Sequence, residues 1–294
     1  MIDLHIHSIY SDGTSEVTDI LKKAEELSLS TISITDHENC NAYREIKTID
    51  VKKYFSGEII FGIELKSQYK NHIVDVLGYG IDCDKMSKIL EGYYGEFGRG
   101  EIQLKQLNDF YEWGRKLGLV LAPVEELIWD KDRDWASIVF YNEIKKHEEN
   151  KSKVPEDLWQ DFENFKRYYY NKEGEIFYID RAKYYPLMSE VLEWIHQSGG
   201  LAFVAHVYQY GWIKDKIQEL KYMIKTFNID GVECYYNNFT KDETNGLIEF
   251  CKENNLFMSG GTDYHGENRP EIKIGIGKGM LEIPDSIISK WVMR

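Results

Sequence analysis

The chain has 294 residues, 43% of them hydrophobic, and its 50 Asp and Glu against 36 Lys and Arg give a net charge of −14. This length suits one large α/β domain or two smaller ones, and the acidic surplus argues against broad electrostatic binding of long nucleic acid or an anionic membrane. The four cysteines show no C-x-x-C spacing and are expected to be free thiols; no run of about 18 apolar residues and no secretory signal is visible, so a cytoplasmic protein is expected.

Residues 2–7 read as a strand carrying His5 and His7, which alternate onto one face. Val17, Ile20, Leu21, Ala24 and Leu27 then fall at helical spacing. A short β-rich run at 31–35 ends on Asp36 and His37. Residues 58–65 predict a third strand, bearing Glu64, and 72–79 a fourth, bearing Asp75. From 84 to 180 the rhythm changes. This stretch holds 18 of the 41 aromatic residues, too dense for a flexible linker, and helices are expected over 102–117 and 159–170. Strand and helix then alternate again: a helix through Leu187, Met188, Val191, Leu192 and Ile195, a strand at 201–205 ending on His206, a helix at 215–227, a strand at 230–234, a helix at 240–254, and a last strand at 256–261 leading to Asp263 and His265. Such alternation implies a parallel sheet.

Five of the eight histidines stand where a strand-like run meets a loop. Two same-face pairs, His5 with His7 and Asp263 with His265, together with His37, Glu64 and His206, read as a metal site assembled from strand ends; imidazole and carboxylate suit zinc, manganese or iron. Asp36 is expected either to steady a ligand or to cap a helix, His196 to cap carbonyls at its helix end, and His147 to be solvated. Glu233 reads as structural or as a support for a ligand, and Tyr235 or Tyr236 as a platform for a base.

With these motifs in view, the chain resembles the PHP (polymerase and histidinol phosphatase) family. Asp3-Leu4-His5-Ile6-His7 with Ser11-Asp12-Gly13, Thr35-Asp36-His37, Gly62-Ile63-Glu64, Ala205-His206 and Gly261-Thr262-Asp263-Tyr264-His265 stand in the family's order. The resemblance implies a distorted (β/α)7 barrel formed by residues 1–83 and 181–294, with 84–180 as a mostly helical insertion lobe. It also implies two or three divalent ions. His5, His7, Glu64 and Asp263 would hold one, and Asp12, His37 and His265 a second. Glu64 would reach toward a third position with His206 and Asp75, where many members carry a histidine in place of Asp75.

The implied activity is hydrolysis of a phosphomonoester in a small metabolite or nucleotide by metal-bound hydroxide, with Glu64 and His206 catalytic and Arg181 and Arg269 as candidate phosphate contacts. The lobe, with Ile176–Asp180 and the 195–206 run, resembles the branch acting on 3′,5′-nucleoside bisphosphates. That branch's Arg-Pro-His segment is replaced here by Arg133-Asp134-Trp135, which leaves the nucleotide preference open. Exonuclease-like trimming of short oligonucleotides, a catalytically silent metal-binding module, and C–N hydrolysis by the same chemistry stand as alternatives.

Overall fold

The computed structural model describes residues 1–95, 99–131 and 133–292. Two compact units divide the chain: Met1–Tyr93 with Pro186–Arg294, and Tyr94–Tyr185. The first is a mixed α/β body. Its strands are β1 (Ile2–Ile6), β2 (Thr31–Ile34), β3 (Glu58–Ile59), β4 (Gly62–Tyr69), β5 (His72–Tyr79), β6 (Leu201–Val204), β7 (Gly231–Tyr236) and β8 (Phe257–Gly261). They form two sheets, ordered β1-β2-β3 and β4-β5-β6-β7-β8. Single bridges, Ile6 to Tyr264 and His37 to Glu64, link residues of one sheet and its loops to the other.

The strand pairing corrects the expected all-parallel arrangement, because β5 runs antiparallel to both β4 and β6. The reason is local: Tyr69 pairs with His72, so only Lys70 and Asn71 make the turn, and a connection that short can join only antiparallel strands. The expected strand at 58–65 is also divided. The Tyr43 hydroxyl inserts there, accepting from the N–H groups of Ile34 (3.0 Å) and Gly62 (2.9 Å) and donating to the carbonyl of Ile34 (2.6 Å). A side chain thus takes the backbone partners that would otherwise continue the ladder.

The helices around the sheets follow their apolar spacing. Helix Val17–Glu26 buries Val17, Ile20, Leu21 and Ala24, while Leu27, read from sequence as the next buried position, is its half-exposed end. Helix Met188–Gln197 buries Met188, Val191, Leu192 and Ile195. Helix Lys241–Glu253 starts on a reciprocal cap, in which the Glu243 N–H donates to Thr240 Oγ1 (3.2 Å) and the Thr240 N–H donates to the Glu243 carboxylate (2.7 Å).

The second unit contains helices Arg99–Lys116 and Ala136–Lys145 and, in place of one helix over 159–170, three short pieces ending in a π-turn at Phe165–Tyr170. Phe110, Phe140, Phe165 and Phe177 are fully buried at its centre. Phe140 stacks on Phe110 at 5.2 Å and meets Phe177 edge-on at 5.4 Å.

Candidate metal centre

The site lies wholly in the first unit. β1 presents His5 and, one residue beyond its end, His7. β2 leads to His37, β6 to His206, and β8 to Asp263 and His265. Glu64 and Asp75 depart from the strand-end pattern: Glu64 is the third residue of β4 and Asp75 lies within β5, because that hairpin runs on past the site.

Four donor atoms converge. His5 Nε2 is 3.2 Å from His7 Nε2, 3.3 Å from Glu64 Oε2 and 3.4 Å from Asp263 Oδ1. His7 Nε2 is 3.2 Å from the same Glu64 oxygen and 3.3 Å from the same Asp263 oxygen. A tetrahedral ion with ligands at about 2.0–2.1 Å separates neighbouring donors by about 3.3–3.4 Å. His5 and His7 thus stand at ligand spacing from each other and from both carboxylates, and the donor set fits a divalent ion in its chemistry. A second group gathers His7, Asp12, His37 and His265. Here Asp12 Oδ1 and His265 Nε2 approach to 3.2 Å, yet both are buried and neither makes a hydrogen bond, as expected of atoms that suit a cation between them. Glu64 connects the two groups, its Oε2 also lying 3.3 Å from His37 Nδ1. A third group joins Glu64, Asp75 and His206. Glu64 Oε1 is 3.1 Å from His206 Nε2, and Asp75 Oδ2 is 3.9 Å from it.

Neighbouring residues hold these donors in place. Glu233, fully buried, accepts from His5 Nδ1 (2.9 Å) and from the His206 N–H (2.7 Å). The first bond turns His5 Nε2 toward the centre. Tyr236 donates to Asp263 Oδ2 (2.8 Å) and Arg269 pairs with the same oxygen, leaving Oδ1 to face the histidines. Asp36 accepts from the N–H and hydroxyl of Ser8 (2.8 and 2.6 Å) and the hydroxyl of Ser11 (2.6 Å), fixing the loop that carries Asp12. It caps no helix. Asp3 pins the end of β8 through the N–H and hydroxyl of Thr262 (2.9 and 2.6 Å). Gly261 passes so close to β1 that a Cβ there would lie 2.2 Å from that of His5. Two donors, His206 (φ 25°) and Asp263 (φ 52°), adopt left-handed conformations, as do Ser28, Glu38, Lys70, Phe177 and Asn255 among the described residues.

The electrostatics are those of a basin of opposed charges. Burial would depress His7, but the carboxylates of Asp263 and Glu64 raise it to about 9. Burial likewise opposes, and Glu64, Glu233 and Asp263 overcome, so that His5 is held well above its ordinary value. Asp263 would rise through burial, yet His5, His265 and Arg269 keep it well below the usual carboxylate range. Asp12 follows the same pattern beside His37 and His265. Burial and then the nearby Lys66 charge push His37 down, toward the neutral imidazole that binds metals.

Other sequence-singled residues are placed elsewhere. Arg181 belongs to the second unit, donates to Asn171 Oδ1 (2.6 Å) and covers the Tyr170 ring. His196 does not cap its helix; its Nε2 pairs with Asp230 at 2.7 Å. His147 contacts Glu143 at 3.2 Å. His72 stacks on Trp212, while its strand neighbour Asp75 joins Glu64 and His206. Tyr236 serves Asp263 through its hydroxyl, where a base platform was one expectation. Sequence reading missed Lys66, whose Nζ lies 2.9 Å from Asp75 Oδ1. Its signal was the same-face i, i+2 relation to Glu64.

The family model for the PHP domain matches residues 3–205. A 5′-3′ exoribonuclease of Haemophilus influenzae is 25% identical over 98% of this chain and 97% of its own. A 3′,5′-nucleoside bisphosphate phosphatase of Chromobacterium violaceum is 21% identical over 90% of this chain and 87% of its own. Among solved structures, one described as a metal-dependent phosphoesterase from Bifidobacterium adolescentis aligns with a TM-score of 0.67 at 18% identity, covering 99% of this chain and 95% of its own. An amidohydrolase from Chromobacterium violaceum aligns at 0.63 with 20% identity, covering 90% and 87%. These two structural likenesses are of fold.

Proposed function

The chain belongs to the PHP domain family, and from that premise we propose that it is a metal-dependent phosphoesterase that releases phosphate from a small phosphorylated molecule, with 3′,5′-nucleoside bisphosphates as the leading substrate class. The observation that carries this reading is the approach of His5 and His7 to each other, to Glu64 and to Asp263 at 3.2–3.4 Å. In this reading one manganese, iron or zinc ion is held there and a second by Asp12, His37 and His265. Such ions supply an activated water and a clamp for a phosphoryl oxygen.

The chain's own residues do the rest. Glu64 keeps the two donor groups together, since one of its oxygens faces His5, His7 and His37. His206, whose Nε2 is 3.1 Å from the other oxygen, is assigned to the leaving group. Arg269, 40% exposed beside Asp263, offers guanidinium charge to phosphate. Arg181, in the second unit, keeps its assignment as a candidate phosphate contact. We read the two sheets as a distorted (β/α)7 barrel, with the inserted lobe, expected over 84–180, corresponding to the unit Tyr94–Tyr185. Among the described residues no helix is long and apolar enough to cross a membrane.

A second reading, 5′-3′ trimming of short oligonucleotides, is favoured by the full-length similarity to the Haemophilus influenzae exoribonuclease. The net charge of −14 favours a few nucleotides over long polymers. The test is phosphate or nucleotide release from histidinol phosphate, a 3′,5′-nucleoside bisphosphate, a dinucleotide and an aryl phosphate, on protein of measured metal content. Release from the bisphosphate that disappears in His37→Ala and Asp263→Ala supports the first reading. Mononucleotide release from the dinucleotide in preference supports the second. Bound metal with no release from any of them refutes both.

A further inference from the structure

The loops that carry Asp12 and His265 are joined along a seam. The Thr14 N–H donates to the His265 carbonyl (3.2 Å), the Glu267 N–H donates to Thr14 Oγ1 (2.7 Å), and Asn268 Nδ2 donates to the Asp12 carbonyl (2.8 Å). The fit is close, since a Cβ on Gly266 would lie 2.1 Å from Thr14 Oγ1. Tyr264, buried between the donors Asp263 and His265 in sequence, adds a side-chain tie. Its hydroxyl meets Ser15 Oγ at 2.8 Å and Lys23 Nζ at 2.7 Å. An ammonium can only donate, so the phenol oxygen accepts from Lys23 and its own proton is free for Ser15.

Both ends of this relay are anchored. Lys23 belongs to helix Val17–Glu26, which is held by the buried Val17, Ile20, Leu21 and Ala24. The Ser15 carbonyl accepts from the Ile9 N–H (3.1 Å), closing the loop that contains Asp12. Asp12 needs such support. Its Oδ1 is buried without a hydrogen bond, 3.2 Å from His265 Nε2, so that oxygen is placed by its loop rather than by a partner. Asp263 differs, because Tyr236 and Arg269 hold its carboxylate directly.

We propose that Tyr264 is a positioning residue for the second donor group: its hydroxyl, tied to Lys23, holds the Ser15 loop so that Asp12 stands opposite His265. The inference rests on reading that group as a metal site. It gives the two groups different supports. The first relies on β1, β4 and the side chains around Asp263, and the second on a seam between two loops.

The test is stepwise metal titration. Full-length protein stripped with a chelator is titrated with manganese(II), and free ion is followed by electron paramagnetic resonance. Asp12→Ala identifies which bound equivalent belongs to the second group. Tyr264→Phe keeps the ring and removes only the hydroxyl; it is expected to weaken that same equivalent about 10-fold and to leave the other within about twofold of wild type. Ser15→Ala breaks the same bond from the other side, so the double variant is expected to bind no more weakly than the weaker single variant. If Tyr264→Phe does not give a native melting transition, Ser15→Ala carries the test. A folded Tyr264→Phe protein with both equivalents unchanged overturns the inference, and so does one in which both weaken equally. Additive losses in the double variant would also overturn it. Wild type that binds no manganese, or whose binding is insensitive to Asp12→Ala, would instead bring down the reading of the second group as a metal site, and the inference with it.

Discussion

Glu233→Gln should weaken metal binding about 10–100-fold although the residue is not itself a donor to the centre. Glu233, fully buried, accepts two hydrogen bonds, one from His5 Nδ1 at 2.9 Å and one from the His206 N–H at 2.7 Å. A glutamine of the same shape has one carbonyl oxygen and one NH2 in place of two acceptors. If the oxygen serves His206, the NH2 faces His5 Nδ1, which must then accept; the ring proton moves to Nε2, the atom aimed at His7, Glu64 and Asp263. If the amide turns the other way, the His206 N–H is left facing a donor, at a backbone already strained with φ of 25°.

Either arrangement disturbs one side of the centre. The expected loss in metal affinity corresponds to about 1.4–2.7 kcal/mol, and the unpaired buried donor should lower stability by about 1–3 kcal/mol. Competition with a chromophoric chelator measures the first, and denaturant unfolding of metal-free protein the second. Nitrogen-15 spectra of the histidines report the His5 tautomer directly. A Glu233→Gln protein with metal affinity within twofold of wild type, and His5 Nε2 still unprotonated in the metal-bound form, would refute the reasoning.

Metal uptake near neutral pH should release protons, because Asp263 and Glu64 hold His7 protonated up to about 9. Calorimetry in buffers of different ionisation enthalpy reads this, and an affinity unchanged from pH 7 to 9 would contradict it. For the metal-free protein the sign follows from the same group. A folded-state value raised from 6.5 to about 9 gives stabilisation that is fully present below 6.5 and lost as pH rises through 9, so its melting temperature should fall across that window. Gly261→Ala should destabilise the protein and displace His5, since the new Cβ would fall 2.3 Å from the His5 nitrogen; unchanged stability and metal affinity would show that β1 and β8 can separate freely. Phe140→Ala should cost about 3–5 kcal/mol in denaturant unfolding, because its ring is stacked within a fully buried aromatic cluster, and a loss below about 1 kcal/mol would mean that the cluster does not stabilise the second unit.

What was legible in the sequence is what short-range periodicity encodes. His5 with His7 could be paired from strand alternation, and Val17, Ile20, Leu21 and Ala24 from helical spacing, and both relations hold in the structure. What was illegible depends on partners far away in the chain. Glu233 could be read as structural or as a support for a ligand, but its partner His5, 228 positions away, is set only by the fold. The Tyr43 hydroxyl that divides β3 from β4 is invisible for the same reason. Lys66 has the polarity of a solvent-facing strand residue until the hairpin sets it opposite Asp75. The turn at Lys70-Asn71 carries no glycine, so the usual mark of a tight hairpin was missing and β5 read as one more parallel strand.

The four donors of the first group come from positions 5, 7, 64 and 263, and this has a consequence for how the protein is made. Synthesis delivers the histidine pair before the other two donors and its aspartate only after β8. A nascent chain that has reached Glu64 owns three of the four donors but cannot close the cage, and it must fold around β6, β7 and β8 before an ion can be gripped from all sides. On the proposed metal reading, capture of the ion would report completed folding, and metal would stabilise finished molecules over partial ones.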